Sequence, residues 1–307
     1  MKSSPTISVF TATFNRRETL GRVFHSLLDQ TYRDFEWVVI DDGSTDETFE
    51  LISAFQREAN FPIRYYVQGN RGKHTAYNLF AKYASGEYYC SIDSDDEVHA
   101  NCLERLLFHF LSIPEGDRDD YAGVMCLADN QHGDLIGDEF YAEDFGDDLI
   151  RVLMRHKKLG DKGGLTKTSV LKEFPFPEDV VRVYVPESIY IHAYSRKYKT
   201  KYVNEILIRP WTDPRPDHLS LALRERKNYP GTSYGLLAWP KYSMRYFFYN
   251  PKLYIAVTSK YIAVAFFTNK GLIQQYKEVG NCYGRLLWML MLPLGGIRYL
   301  LERRLSA

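Results

Sequence analysis

Over the first 130 residues, short apolar runs of β-type composition alternate with amphipathic segments. That alternation confines the chain to an α/β fold, a parallel sheet with crossover helices on its faces. Strands are predicted at Ile7–Thr11, Trp37–Ile40, Ile63–Val67, Tyr88–Ile92 and Gly123–Leu127. Helices fall between them. Val23, Leu27 and Leu28 stripe the first, Phe49, Ile52 and Phe55 the second, Tyr77, Leu79 and Phe80 the third, and Leu103, Leu106, Leu107 and Phe110 the fourth. With 307 residues, 45% of them hydrophobic, the chain has material for a sizeable core, which excludes disorder throughout.

From Asp134 to Asp161 acids and glycines dominate, predicting surface loops around a short helix, Leu149–His156. A second α/β stretch follows, with a helix at Ile189–Lys199 and a strand at Tyr202–Ile208. Two prolines then interrupt Trp211–Asp217. Trp211, Arg215 and His218 either border an acceptor or donor phosphate or, for Trp211, simply pack.

In an open parallel sheet, ligands collect where strands end and loops begin. Three such ends carry unusual polar residues: Thr11–Arg16, Asp41-Asp42-Gly43-Ser44-Thr45-Asp46, and Asp93-Ser94-Asp95-Asp96-Glu97. A turn followed by a helix cap accounts for Gly43 and Ser44 in the second. It leaves unexplained two successive carboxylates leaving a buried strand, so one of Asp41 and Asp42 is expected to touch a ligand. The third end places four acids in five residues, which repel one another unless a cation or water takes up the charge. An EF-hand calcium loop does not fit, because Val98 occupies the sixth position, which requires glycine. Mg²⁺ or Mn²⁺ suits the pattern better, since such ions take few carboxylates and keep positions for substrate phosphates.

Taken in order, Ile7–Arg16, Val38–Asp46 and Ser85–Asp96 resemble the successive signatures of family 2 glycosyltransferases with the GT-A fold. The resemblance covers roughly residues 5 to 210 and is strongest before Asp96. It implies that Thr11, Thr13, Phe14 and Asn15 line a nucleotide's base and ribose, with Asp42 or Asp41 accepting from a uracil edge. It implies that Asp93 and Asp95 form the D-x-D pair flanking Ser94, Asp95 ligating a Mg²⁺ or Mn²⁺ that bridges the diphosphate of a nucleotide-sugar donor. Lys73 and His74 look like further donor contacts after Gly72, although a helix cap or surface role suits His74 equally. Inverting members place a general base at the start of a later helix, where this chain has Glu187. The commoner Glu-Asp pattern is here Glu187-Ser188, so Glu178 and Asp179 stay open as alternatives. The enzyme-class rival, a nucleotidyltransferase, needs a glycine-rich basic loop that the Thr11–Asn15 turn lacks. A non-catalytic sugar- or membrane-binding scaffold is the other rival, disfavoured by the intact acids.

The formal net charge is zero, which excludes a global basic field for nucleic acid. The balance is uneven. From Trp239 onward there are 10 Lys and Arg against 2 Asp and Glu, leaving 29 against 37 in the preceding 238 residues. Residues 1–215 are expected to form the catalytic domain and 216–307 a helical extension rich in aromatic and basic residues. Its longest apolar stretch, Leu286–Ile297, falls short of the ~20 residues a membrane span requires. It reads either as a packed cap, as a dimerisation element, or as an in-plane membrane surface using Trp288 and its neighbours. The last agrees with a cytoplasmic enzyme, peripheral at the inner membrane face, that serves a lipid-linked saccharide acceptor as in cell-surface polysaccharide synthesis. Cys90, Cys102, Cys126 and Cys282 have no metal or redox spacing and are expected to be reduced and mostly buried.

Overall fold

The computed structural model describes residues 4–155, 160–211 and 225–305. Arg215, His218 and His156 lie outside them. The chain divides into two compact units, one of residues 1–176 and 197–214, the other of residues 177–196 and 215–307. The second unit thus takes a short segment from within the α/β stretch as well as the chain's C-terminal part.

The first unit is built on one sheet in the order β3 (Ile63–Val67), β2 (Phe35–Asp41), β1 (Ile7–Thr13), β4 (Tyr88–Ser91), β8 (Gly163–Lys167), β6 (Tyr121–Ala128), β9 (Lys199–Arg209) and β5 (Glu97–Val98), with β7 (Phe145–Asp147) paired to β9. Its leading strands are β1 (Ile7–Thr13), β2 (Phe35–Asp41), β3 (Ile63–Val67) and β4 (Tyr88–Ser91), all mutually parallel. Between them run α1 (Leu20–Leu28), α2 (Thr48–Glu58) and α3 (Lys73–Tyr83), and α4 (Cys102–Leu111) follows β4. All seven residues of β2 are buried, as a strand covered on both faces must be. Val9, Trp37, Phe24 and Phe55 sit in the principal core with Leu103, Leu106 and Phe110 of α4. Phe49 departs from its predicted inward stripe. It is 60% exposed and leans on Tyr65 with ring centroids 5.9 Å apart, while Thr48, Ile52 and Phe55 are the buried residues of the helix.

Past β4 the sheet turns mixed. β5 (Glu97–Val98), β6 (Tyr121–Ala128), β7 (Phe145–Asp147), β8 (Gly163–Lys167) and β9 (Lys199–Arg209) complete it, with α5 (Leu149–Arg155) and α6 (Thr168–Glu173) between them. β8 is antiparallel to β4 and β6, while β6 and β9 are parallel. The short strands β5, β7 and β8 carry no sustained apolar run, which hides them in the sequence. The predicted helix to Lys199 stops sooner: α7 covers Ser188–Tyr194, and Lys199 opens β9 because its backbone pairs with Tyr121 of β6. Cys90, Cys102 and Cys126 are buried and Cys282 is exposed, all four free.

Among the described residues the second unit contains α7, α8 (Tyr229–Tyr242), α9 (Pro251–Phe267), α10 (Leu272–Val279) and α11 (Cys282–Arg304). Leu237, Tyr261, Ile262, Ala265, Val279 and Trp288 form its core cluster. α11 runs through Pro293, and no helix among the described residues is long and apolar enough to cross a membrane.

Candidate active site

The parallel half of the sheet brings three loop clusters to one edge, at the carboxyl ends of β1, β2 and β4. Thr11 is still inside the sheet, where Trp37 Nε1 donates to its hydroxyl at 3.0 Å, so that side chain serves the core. Thr13 ends the strand, buried, with a hydroxyl that has no hydrogen-bond partner among the described residues. Phe14 is exposed. Asn15 adopts φ 52°, a left-handed conformation that asparagine tolerates better than most residues. Its amide donates to Ser44 Oγ at 2.9 Å and its Oδ1 accepts from the Thr45 amide at 2.7 Å. The turn after β1 is thereby fastened to the turn after β2.

Both aspartates of the second cluster are buried and both hold loops. Asp41 accepts from the Ser44 amide at 2.7 Å and from the Tyr65 hydroxyl. Asp42 accepts at 2.7 Å from Gln68 Nε2 and from the backbone amides of Arg71 and Gly72. These bonds pull the segment before α3 against the end of β2. Gly72 has φ 104° and ψ 153°, a region essentially confined to glycine. A carboxylate offers about four acceptor directions, so each aspartate retains capacity for a ligand N–H.

At the third cluster, Lys73, the first residue of α3, reaches across to Asp93 with Nζ 2.7 Å from Oδ1. His74 beside it is buried, which removes the surface-histidine reading. Ser94 is buried and Asp95 partly so. The backbone carbonyl of Asp95 accepts from Arg22 Nη1 at 3.2 Å, and the same guanidinium lies 3.9 Å over the Trp211 ring. Trp211 in turn donates its backbone amide to Asp96 Oδ1 at 3.0 Å. Arg22 and Trp211 therefore clamp the Asp93–Asp96 turn from outside. Burial, and after it the negative charge of Asp93, pushes the Asp96 carboxyl up to about 8 against the opposing Trp211 amide bond. Among the described residues no three His, Cys, Asp or Glu side chains gather into a closed metal cage. The donor set is instead open: two carboxylates on one turn, Asp93 and Asp95, which fits an ion that keeps most of its coordination for water and phosphate oxygens.

The clamp was not legible in the sequence. Arg22 lies on the helix before β2, 73 positions from Asp95, and nothing local sets it apart from the chain's other arginines.

Glu187 belongs to the second unit, where it is half-buried and caps α7, its carbonyl accepting from the Ile191 amide at 3.1 Å. Of its alternatives, Glu178 is exposed. Asp179 accepts from the Tyr234 hydroxyl at 2.5 Å. It lines an open cavity of about 440 Å³ with Arg226, Tyr229, Tyr234, Phe267 and Lys270.

With this geometry in hand, the likenesses to known proteins are specific. Residues 8–122 match the model of glycosyl transferase family 2. The chain is 34% identical over 119 residues to an uncharacterized glycosyltransferase of Nostoc sp., covering 39% of this chain and 35% of that one. It is 28% identical over 210 residues to the GalNAc(5)-diNAcBac-PP-undecaprenol beta-1,3-glucosyltransferase of Campylobacter jejuni, covering 64% and 65%. The chain thus spans from about a third to just under two thirds of these curated relatives. In fold it resembles S. aureus TarS 1–349 in complex with UDP-GlcNAc, with a TM-score of 0.62, 16% identity and coverage of 97% and 92%. It also resembles GalNAc-T7 with UDP, GalNAc and Mn²⁺, with a TM-score of 0.53, 16% identity and coverage of 83% and 52%. The matched segment, residues 8–122, contains all three loop clusters of the sheet edge, and it is in this segment that the chain is similar to glycosyl transferase family 2.

Proposed function

We propose that the protein transfers a sugar from a UDP-linked donor to a hydroxyl of a lipid-linked saccharide, with inversion at the anomeric carbon, in cell-surface polysaccharide synthesis. The observation that carries this is the convergence of Asn15, Asp41, Asp42, Lys73, Asp93 and Asp95 on one edge of the parallel sheet, each loop tied to the next by bonds of 2.7 to 2.9 Å. The Campylobacter relative, whose acceptor is an undecaprenol-linked saccharide, supports the lipid-linked class.

Thr13, Phe14 and Asn15 would flank the nucleoside, with the spare acceptor directions of Asp41 or Asp42 toward a uracil N–H. Asp93 and Asp95 would hold Mg²⁺ or Mn²⁺. When bound, such an ion supplies positive charge against the charge that develops on the departing diphosphate. Lys73 adds a cation to the same side, and His74 opens the helix next to it. Glu187 would take the proton from the acceptor hydroxyl as that oxygen bonds to the anomeric carbon and the bond to the diphosphate breaks. The bilayer is the surface on which the acceptor is met, and the basic C-terminal unit is the part that meets it.

Turnover of a UDP-sugar tests the reading. Asp95→Ala, or excess EDTA, is expected to abolish it, and undiminished turnover would overturn the metal assignment. Glu187→Gln is expected to cost about 10²–10⁴ in kcat, the contribution of a positioned base. A loss of only a few-fold in a folded variant moves the role to Glu178 or Asp179, each tested by its own amide variant.

A further inference from the structure

We infer that the outward face of α11 is an in-plane insertion surface for an anionic lipid bilayer. The inference rests on the proposed function only in that a lipid-linked acceptor gives such a surface its use.

The sequence nominates Trp288 for insertion, and the structure reassigns that role. Trp288 is 4% exposed and belongs to the core of the second unit, its indole donating to Gln275 Oε1 at 3.2 Å. Gly284, Leu287 and Gly295 face inward with it. The side chains left outside are themselves apolar: Leu286, Met289, Leu290, Leu294, Ile297 and Leu301 are between 46% and 62% exposed. At about 100° per residue they span a continuous arc about 140° wide along the helix. A helix on a water-facing surface carries polar residues there, whereas this one is apolar toward both the core and the outside.

Charge says what covers it. On the same helical projection Arg285 and Arg303 flank one side of the arc, Arg298 the other, and Arg304 closes its end. The single acid of α11, Glu302, is paired with Arg298 at 2.9 Å. An apolar strip with basic margins matches acyl chains bordered by anionic headgroups. A second copy of the same face would bring the basic margins together and repel. Exposed Tyr283 and, in the same unit, Phe248 and Tyr249 are of the residue types that settle at the interface. Since no described helix can cross a membrane, the helix would lie in the plane.

The test is co-sedimentation of the full chain with vesicles of phosphatidylglycerol and phosphatidylcholine, against vesicles of phosphatidylcholine alone, with no donor or acceptor present. The wild type should sediment with the anionic vesicles and lose binding as salt rises. A double Leu290→Gln, Leu294→Gln variant should bind about tenfold more weakly or worse, with an unchanged unfolding midpoint because both side chains already face outward. Arg303→Gln with Arg304→Gln should remove most of the salt-sensitive part, and carries the test if the leucine variant fails to fold. A wild type that stays in the supernatant, or variants that sediment as well as it does, would overturn the inference. So would a wild-type oligomer that dissociates in the leucine variant without any vesicle binding, which assigns the face to a second copy. The assay contains no sugar chemistry, so its failure leaves glycosyl transfer standing, and failed transfer leaves the binding result intact.

Discussion

Asp42 shows how much of a binding edge is spent on holding itself together. Its carboxylate takes the Gln68 amide and two backbone N–H groups, and with Asn15 and Lys73 it converts three separate loops into one surface. Arg22 serves the same end for the Asp93–Asp96 turn. Arg22→Ala removes a carbonyl hydrogen bond and a cation–π contact together worth about 1–2 kcal/mol. It should therefore raise the Mn²⁺ concentration needed for half-maximal turnover by roughly five- to thirtyfold, with kcat at saturating Mn²⁺ changed less. Arg22→Lys, which cannot stack a plane on Trp211, should recover only part; an unchanged Mn²⁺ requirement in the alanine variant would remove the clamp. His192 makes a prediction about acidity. Burial lowers it to about 3, while its Nδ1 lies 2.6 Å from Ser243 Oγ. Between pH 6.5 and 3 the unfolded chain binds a proton that the folded one refuses. This residue's contribution is thus fully present above pH 6.5 and lost as pH falls, by up to about 1.4 kcal/mol per unit. Urea denaturation from pH 7 to 5 should show a steeper loss in the wild type than in His192→Gln, and parallel curves would contradict it.

At the scale of elements, legibility followed periodicity. β1 to β4 could be read as short apolar runs and α4 by its 3.6-residue repeat, all meeting one core. Phe49 and Leu290 could not be placed, since an apolar residue on a helix declares its face only once the partner is known. α11 is the sharpest case: it is apolar around most of its circumference, so its pattern does not say whether Trp288 or Leu290 points inward. What decides is the contact with α8 and α9, which the glycines permit. A Cβ on Gly295 would lie 2.5 Å from Ile262 Cβ and 3.0 Å from the Ser259 carbonyl, and one on Gly284 would lie 2.1 Å from the Pro240 carbonyl. Gly295→Ala should accordingly destabilise the second unit by about 1–3 kcal/mol, the usual cost of overpacking. Partly buried Gly296, with nothing within 4 Å of its Cβ position, serves as control. Equal unfolding midpoints for the two alanine variants would mean that α9 and α11 do not pack this closely.

For the whole molecule, an acidic body is joined to a basic C-terminal part, and under the proposed function the first would serve a metal-bridged anionic donor and the second an anionic membrane. The body cannot attract a diphosphate directly, so nucleotide binding should depend on the ion. UDP at ~100 times its dissociation constant should stabilise the protein by about 2.7 kcal/mol with Mn²⁺ present. EDTA or Asp95→Ala should erase the thermal shift, and an undiminished shift would mean that the nucleotide needs no carboxylate-bound ion. The sequence by itself determined the α/β class, the parallel half of the sheet and the three polar strand ends, because strand periodicity and local turn chemistry are short-range and written in consecutive residues. Only the tertiary structure decided the mixed half of the sheet, the Arg22–Trp211 clamp and the side of α11 left facing out. Each of these depends on residues tens of positions apart being brought together, and on which of several apolar surfaces packing leaves uncovered.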